Sequence, residues 1–161
     1  MKIGFIFCFL FISESLYGQN YITSKGEYMD TTLNVSSKCS PPYNIFYYQL
    51  KAKYPVASAT LLNESKAFMK QKMRIYSGTG YVTFKFFIDC EGTMSRIKVM
   101  QTDDNYKAIH FEKSFVNDLY GYLQTMDKWK RNLDVENLKN VNYIAFISFK
   151  IKNGEVINII P

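Results

Sequence analysis

Residues 80–103 read "GYVTFKFFIDCEGTMSRIKVMQTD". Val82, Phe84, Phe86 and Ile88 alternate with Tyr81, Thr83, Lys85 and Phe87. Successive side chains of a strand point to opposite faces, so a period of two in β-branched and aromatic residues predicts a strand with one face buried. "DCEG" at 89–92 supplies turn chemistry, with Gly92 free to take positive φ. Met94, Ile97, Val99 and Met100 make a returning strand, and the broken alternation near Ser95 predicts a bulge. A hairpin of this kind needs other elements to cover its apolar face.

Those elements are legible on both sides of it. From Ala57 to Ile75 the residues Leu61, Leu62, Ser65, Phe68, Met69 and Met73 follow helical spacing, and "SGTG" at 77–80 ends the run. "TDDN" at 102–105 offers helix-capping side chains. Beyond it, Phe111, Phe115, Leu119, Tyr122, Leu123 and Met126 repeat at helical spacing through to Trp129. The polar stretch 131–140 reads as a loop. "VNYIAFISFKI" at 141–151 is a third strand, and Asn153-Gly154 is a hairpin signal that returns Val156–Ile160 as a fourth. The predicted fold class is α+β: a small antiparallel sheet of three to four strands packed by two helices on one face. Val82, Phe84, Phe86 and Ile88 should meet Phe115, Leu119 and Leu123, while Thr83 and Lys85 face solvent.

The two ends carry different information. Lys2, the apolar run Ile3 to Ile12, the polar Ser13–Ser15 and Gly18 have the layout of a secretory signal peptide over 1–18. The run is about half the length a membrane span needs, so the mature chain is expected to lack a transmembrane helix. Residues 19–56 form a polar, then aromatic, lead-in with a short strand around Tyr28–Val35, and 57–161 form the α+β domain. The net charge of +6 is mildly basic. Its two denser runs, "KAFMKQKMR" at 66–74 and "KWKR" at 128–131, read as solvated faces, and such surfaces also suit an acidic surface, anionic lipid or a polyanionic wall polymer. No aromatic RNA-binding box or zinc finger occurs, which argues against nucleic acid. Cys39 and Cys90 remain after export, and they form either one disulfide or two buried thiols.

No catalytic constellation emerges, and no cofactor or metal is expected. His110 stands alone, and pairing it with Cys90 or Cys39 rests on nothing but their presence. Asp103 and Asp104 are adjacent, so their side chains diverge on a helix or a strand. Asp89 and Glu91 are explained by the turn they flank. GxSxG, HExxH and P-loop patterns are absent.

Four segments in order resemble the TonB C-terminal domain family over about residues 65–151. "GYVTFKFFIDCEG" resembles its first strand and turn, and "MSRIKVMQTDD" its second strand. "FEKSFVNDLYGYLQTMDKWKRN" is similar to its long helix ending in a tryptophan flanked by basic residues, and "NYIAFISFKI" to its last strand. The resemblance implies a three-stranded antiparallel sheet under two helices, in a periplasmic or extracellular protein that captures a peptide or envelope protein, such as an outer-membrane receptor, by strand addition. The implied edge strand is Tyr143, Ile144, Ala145, Phe146, Ile147 and Ser148, with Ile144, Phe146 and Ser148 on one face and Tyr143, Ala145 and Ile147 on the other. Arg131 and Asn132 stand where the family places a proline after "KWK", and the chain has only four prolines. A long extended Pro-rich span is therefore lacking, and energy transduction does not carry over. The strand returning at 155–160 would pair with the binding edge, either sealing it, as in a structural envelope domain, or standing in for a peptide.

Overall fold

The computed structural model describes residues 26–41 and 45–161. The signal-peptide reading of 1–18 lies outside the described residues. The elements run β1 (Glu27–Tyr28), α1 (Ser58–Gln71), β2 (Gly80–Ile88), β3 (Met94–Thr102), α2 (Lys113–Leu123), β4 (Leu133–Val135), β5 (Leu138–Val141), β6 (Tyr143–Lys152) and β7 (Glu155–Ile160). The fold is α+β, as expected. Among the described residues its main sheet has five antiparallel strands in the order β1-β3-β2-β6-β7, rather than three or four, and β4-β5 form a separate small hairpin.

The alternation in β2 organises this layer. Val82, Phe84, Phe86 and Ile88 are buried, and across the ladders they sit beside Val99 on β3 and Ala145, Ile147 and Phe149 on β6. Phe115, Leu119 and Leu123 of α2 complete the same core, and Tyr120 packs 6.1 Å from the Phe84 ring. Helix α1 leans on α2 and β7, with Leu61 buried and its carbonyl accepting from the Tyr122 hydroxyl at 3.0 Å. Trp129 reaches back to cover Phe86 edge-on at 5.0 Å and touches Tyr54 at 4.6 Å. On the opposite face Thr83 is half-buried and shares a 2.8 Å hydrogen bond with Ser148.

Several boundaries differ from the sequence expectation for identifiable reasons. Helix α1 stops at Gln71 because Met73 takes a left-handed φ of 51°. Helix α2 stops at Leu123, well before Trp129, where the Thr125 hydroxyl bonds the Tyr122 carbonyl at 2.7 Å and competes with the helical ladder. "TDDN" caps no helix. Asp103 instead accepts from the amides of Asn105 and Lys107 at 2.8 and 2.9 Å, closing a turn far ahead of α2. Residues 131–140 are not a plain loop but contain the β4-β5 hairpin. The bulge near Ser95 is present: the β2–β3 register slips between Lys85 and Phe87, and Arg96 has φ 49°.

The lead-in contributes more than a strand. Among the described residues of the lead-in, only Glu27–Tyr28 pair with β3, short of the expected Tyr28–Val35. Past them the chain satisfies the backbone that the bulge exposes, with Arg96 donating to Thr32 and Ile97 accepting from Met29 and Asp30. It then reaches the β2–β3 turn, where Cys39 and Cys90 are disulfide-bonded with their Cα atoms 5.4 Å apart. Asp89 is buried and organises that corner, accepting from the amides of Glu91, Thr93 and Ser36. Lys38 and Glu91 make an exposed ion pair beside it at 2.8 Å.

Two measurements check this packing. Phe86→Ala removes a ring fully enclosed by β6 and Trp129 and should cost about 3–5 kcal/mol in urea unfolding; a negligible change would place Phe86 outside the core. Replacing Cys39 and Cys90 together by Ser should lower stability by up to about 4 kcal/mol, since the bond closes a loop with a separation of 51 residues, and reductant should then have no further effect on the melting curve.

Candidate binding edge

Of the six residues expected at a sheet edge, only Ser148 is covered by a further strand. Strand β6 lies between β2 and β7 in the sheet order, but β7 pairs only with Ser148–Lys152, so Tyr143–Ile147 run past its end. The returning strand expected after Asn153-Gly154 is present and covers the far half of β6. The faces do alternate as expected: Tyr143, Ala145 and Ile147 are buried in the core, whereas Ile144, Phe146 and Ser148 are half-buried on the other side.

The covering of β6 is incomplete. The Ile144 amide donates to Ile45 at 2.8 Å and its carbonyl accepts from Tyr47 at 2.9 Å, in a parallel bridge centred on Phe46. Even-numbered residues of β6 therefore aim their backbone away from β2. Ser148 and Lys150 use these groups on Ile160 and Asn158 of β7. Phe146 falls between. A continuing parallel ladder would offer it the Tyr47 carbonyl, but the chain turns at 47–50 and that carbonyl accepts from Ala52 at 2.7 Å. Among the described residues, the outward amide and carbonyl of Phe146 have no strand partner. Its ring stacks on Phe46 at 6.0 Å, with the Lys85 ammonium 5.7 Å from its centre. The aromatic run at 43–54 is plain in the sequence. That it would bridge β6 in parallel was not legible, because the bond joins segments almost a hundred positions apart.

The outermost strand on this side is β7. It pairs only with residues 148–152 of β6, and its register slips between Lys150 and Ile151, leaving Ile157 as an exposed bulge residue. The Ile159 amide faces outward and donates to the side chain of Asn158 at 2.9 Å. The hairpin that delivers β7 is the one expected from Asn153-Gly154, with φ values of 51° and 78° suited to a two-residue turn of the primed type. Its tip is docked: Gly154 donates to Gly78 at 2.8 Å, Asn153 donates to Thr79 at 3.1 Å, and a Cβ on Gly154 would collide with the Tyr76 carbonyl.

Next to that tip is a groove of about 410 Å³ between α1 and the β6–β7 turn. Met69, Phe115 and Val156 form apolar walls, and Lys66, Lys70 and Arg74 stand at its rim. Tyr76 stacks on Phe115 at 4.5 Å and donates to Asp118 at 2.5 Å. Burial, and then the Asp118 carboxylate holding the phenol proton, push the Tyr76 pKa up to about 12. Asp118 also receives Arg74 at 3.0 Å.

Residues considered for chemistry are kept apart. Cys90 has no free thiol, which removes its pairing with His110. His110 is exposed beside Glu27, 3.5 Å away. The buried phenols of Tyr122 and Tyr143, whose pKa values burial raises, donate to the Leu61 and Lys130 carbonyls and serve the fold. No group of three or more His, Cys, Asp or Glu gathers among the described residues. No described helix is long and apolar enough to cross a membrane. In comparisons with known proteins, no family model matches the chain, and neither a curated protein nor a solved structure resembles it significantly.

Proposed function

We propose that the chain is an exported, non-catalytic binding module of the TonB C-terminal type, which engages an extended peptide of an envelope protein at the β6–β7 side of its sheet. The observation that carries this reading is the half-covered strand β6. An incoming strand can bond the free backbone of Phe146 and, by displacing β7, go on to Ser148 and Lys150. Main-chain bonds would supply the affinity, and the half-buried face that carries Phe146 and Ser148 the selectivity. The disulfide and the apolar run at the start of the sequence support an oxidising compartment outside the cytoplasm.

A second reading has its own support. The bulge at Ile157 and the Asn158 cap on the Ile159 amide are devices that blunt a sheet edge. In that reading the protein is a structural envelope domain with a self-sealed edge.

A cross-strand lock separates the two. Ser148 and Ile160 are direct neighbours across β6 and β7. Joining them through Ser148→Cys with Ile160→Cys should keep the fold while preventing displacement. Immobilised N-terminal peptides of outer-membrane receptors should retain the unaltered chain, and the lock should weaken capture more than about tenfold, or about 1.4 kcal/mol, with each single substitution as control. Failure of the unaltered chain to bind, or capture indifferent to the lock, would favour the sealed edge.

A further inference from the structure

The turn between α1 and β2 carries two large apolar side chains that the fold leaves in the open. Met73 is 93% exposed and Ile75 is 98% exposed, the highest values among the exposed large hydrophobics of the described residues. They alternate with Lys72 and Arg74, and Lys66 and Lys70 precede them on α1. The turn is held rather than loose. Tyr76 anchors its far end through the Phe115 stack and the Asp118 hydrogen bond, Arg74 pairs with the same carboxylate, and Met73 donates to the Lys70 carbonyl at 3.2 Å. Lys72 lies over the Phe68 ring at 4.5 Å. An apolar tip fixed in place and ringed by cations has the chemistry of a membrane-interface anchor, in which apolar side chains enter the acyl boundary while lysines meet phosphates.

We propose that this corner docks the protein on an anionic phospholipid bilayer. Met73 and Ile75 enter the interface. Lys66, Lys70 and Lys72 contact the headgroups, and the adjacent groove, with its apolar walls and cationic rim, seats one of them. Charge favours an anionic surface: four cations stand here, at 66, 70, 72 and 74, against the carboxylates of Glu112, Asp118 and Glu155, and Lys72 and Arg74 share Asp118 at 3.9 and 3.0 Å while Lys66 and Lys70 have no ion pair among the described residues. The inference does not depend on peptide capture at β6, because neither Met73 nor Ile75 belongs to that edge.

The test uses the full chain and vesicles of phosphatidylcholine with or without phosphatidylglycerol. Ile75→Trp places a fluorophore at the tip, where the side chain has no packing to lose. Its emission should shift to the blue, and be quenched by brominated acyl chains, only with phosphatidylglycerol present; the native Trp129 is buried and gives a constant background. Met73→Ser with Ile75→Ser, and separately Lys66→Glu with Lys70→Glu, should each lower partitioning about fivefold or more, and raised salt should weaken it. Vesicle binding that leaves the Ile75→Trp emission unchanged would overturn the proposal in favour of headgroup attraction elsewhere on the molecule. No tip response to either vesicle would overturn it in favour of an acidic protein surface as the occupant.

Discussion

Everything in this fold leans on the pairing of β2 from both sides. Its residues Gly80–Ile88 are matched without interruption to Ile151–Tyr143 of β6, and most of the same strand is matched to β3. That leaves its backbone polar groups satisfied inside the protein, so the phenylalanines at 84 and 86 can be enclosed without burying unpaired amides. The helices contribute little on their own account. Neither α1 nor α2 has a side-chain N-cap, and both are short enough that their stability comes from the apolar stripes they bury, α2 against the core of the sheet and α1 against α2 and β7. The disulfide and the Asp89 turn hold the β2–β3 corner closed where Cys39 delivers the lead-in.

Cover declines outward from that centre. Strand β6 is fully paired on one side and patched on the other by two unrelated segments, the 45–47 bridge and β7. Each stops short, and Phe146 lies in the interval. Among the described residues, the outer groups of β7 are handled by a bulge and by the Asn158 side-chain oxygen, which accepts from the Ile159 amide, not by another strand. The hairpin tip that feeds β7 is bonded to Gly78 and Thr79, a few residues beyond the Met73–Ile75 turn. The β7 hairpin and the exposed apolar corner therefore lie side by side.

Local chemistry explains which features could be read from the sequence. The period in 81–88, the Asn153-Gly154 turn, the bulge near Ser95 and the division of β6 into two faces depend on neighbours a few residues apart, and all are present. The disulfide was one of two outcomes left open by the spacing of Cys39 and Cys90; only the three-dimensional approach of their Cα atoms decides it. What was misjudged depends on competition or distance. Thr125 ends α2 by a side-chain bond that periodicity does not register. Asp103 has the same capping chemistry whether it opens a helix or closes a turn. The strand returning after Asn153-Gly154 is legible, but its register is not: it covers only Ser148 of residues 143–148. The Ile45–Tyr47 bridge that covers Ile144 is set by long-range contact. The exposure of Met73 and Ile75 was hidden for a related reason, since helical spacing placed Met73 on a buried stripe that the left-handed turn actually breaks.

The central claim is that a rigid β3-β2-β6 core carries a β7 strand able to leave without it. Native-state hydrogen exchange measured residue by residue under increasing denaturant tests this directly. The account predicts that the amides of Ser148, Lys150, Asn158 and Ile160 exchange through a local opening that is nearly independent of denaturant, while those of β2 exchange only with global unfolding. Identical protection and identical denaturant dependence for β7 and β2 would contradict it.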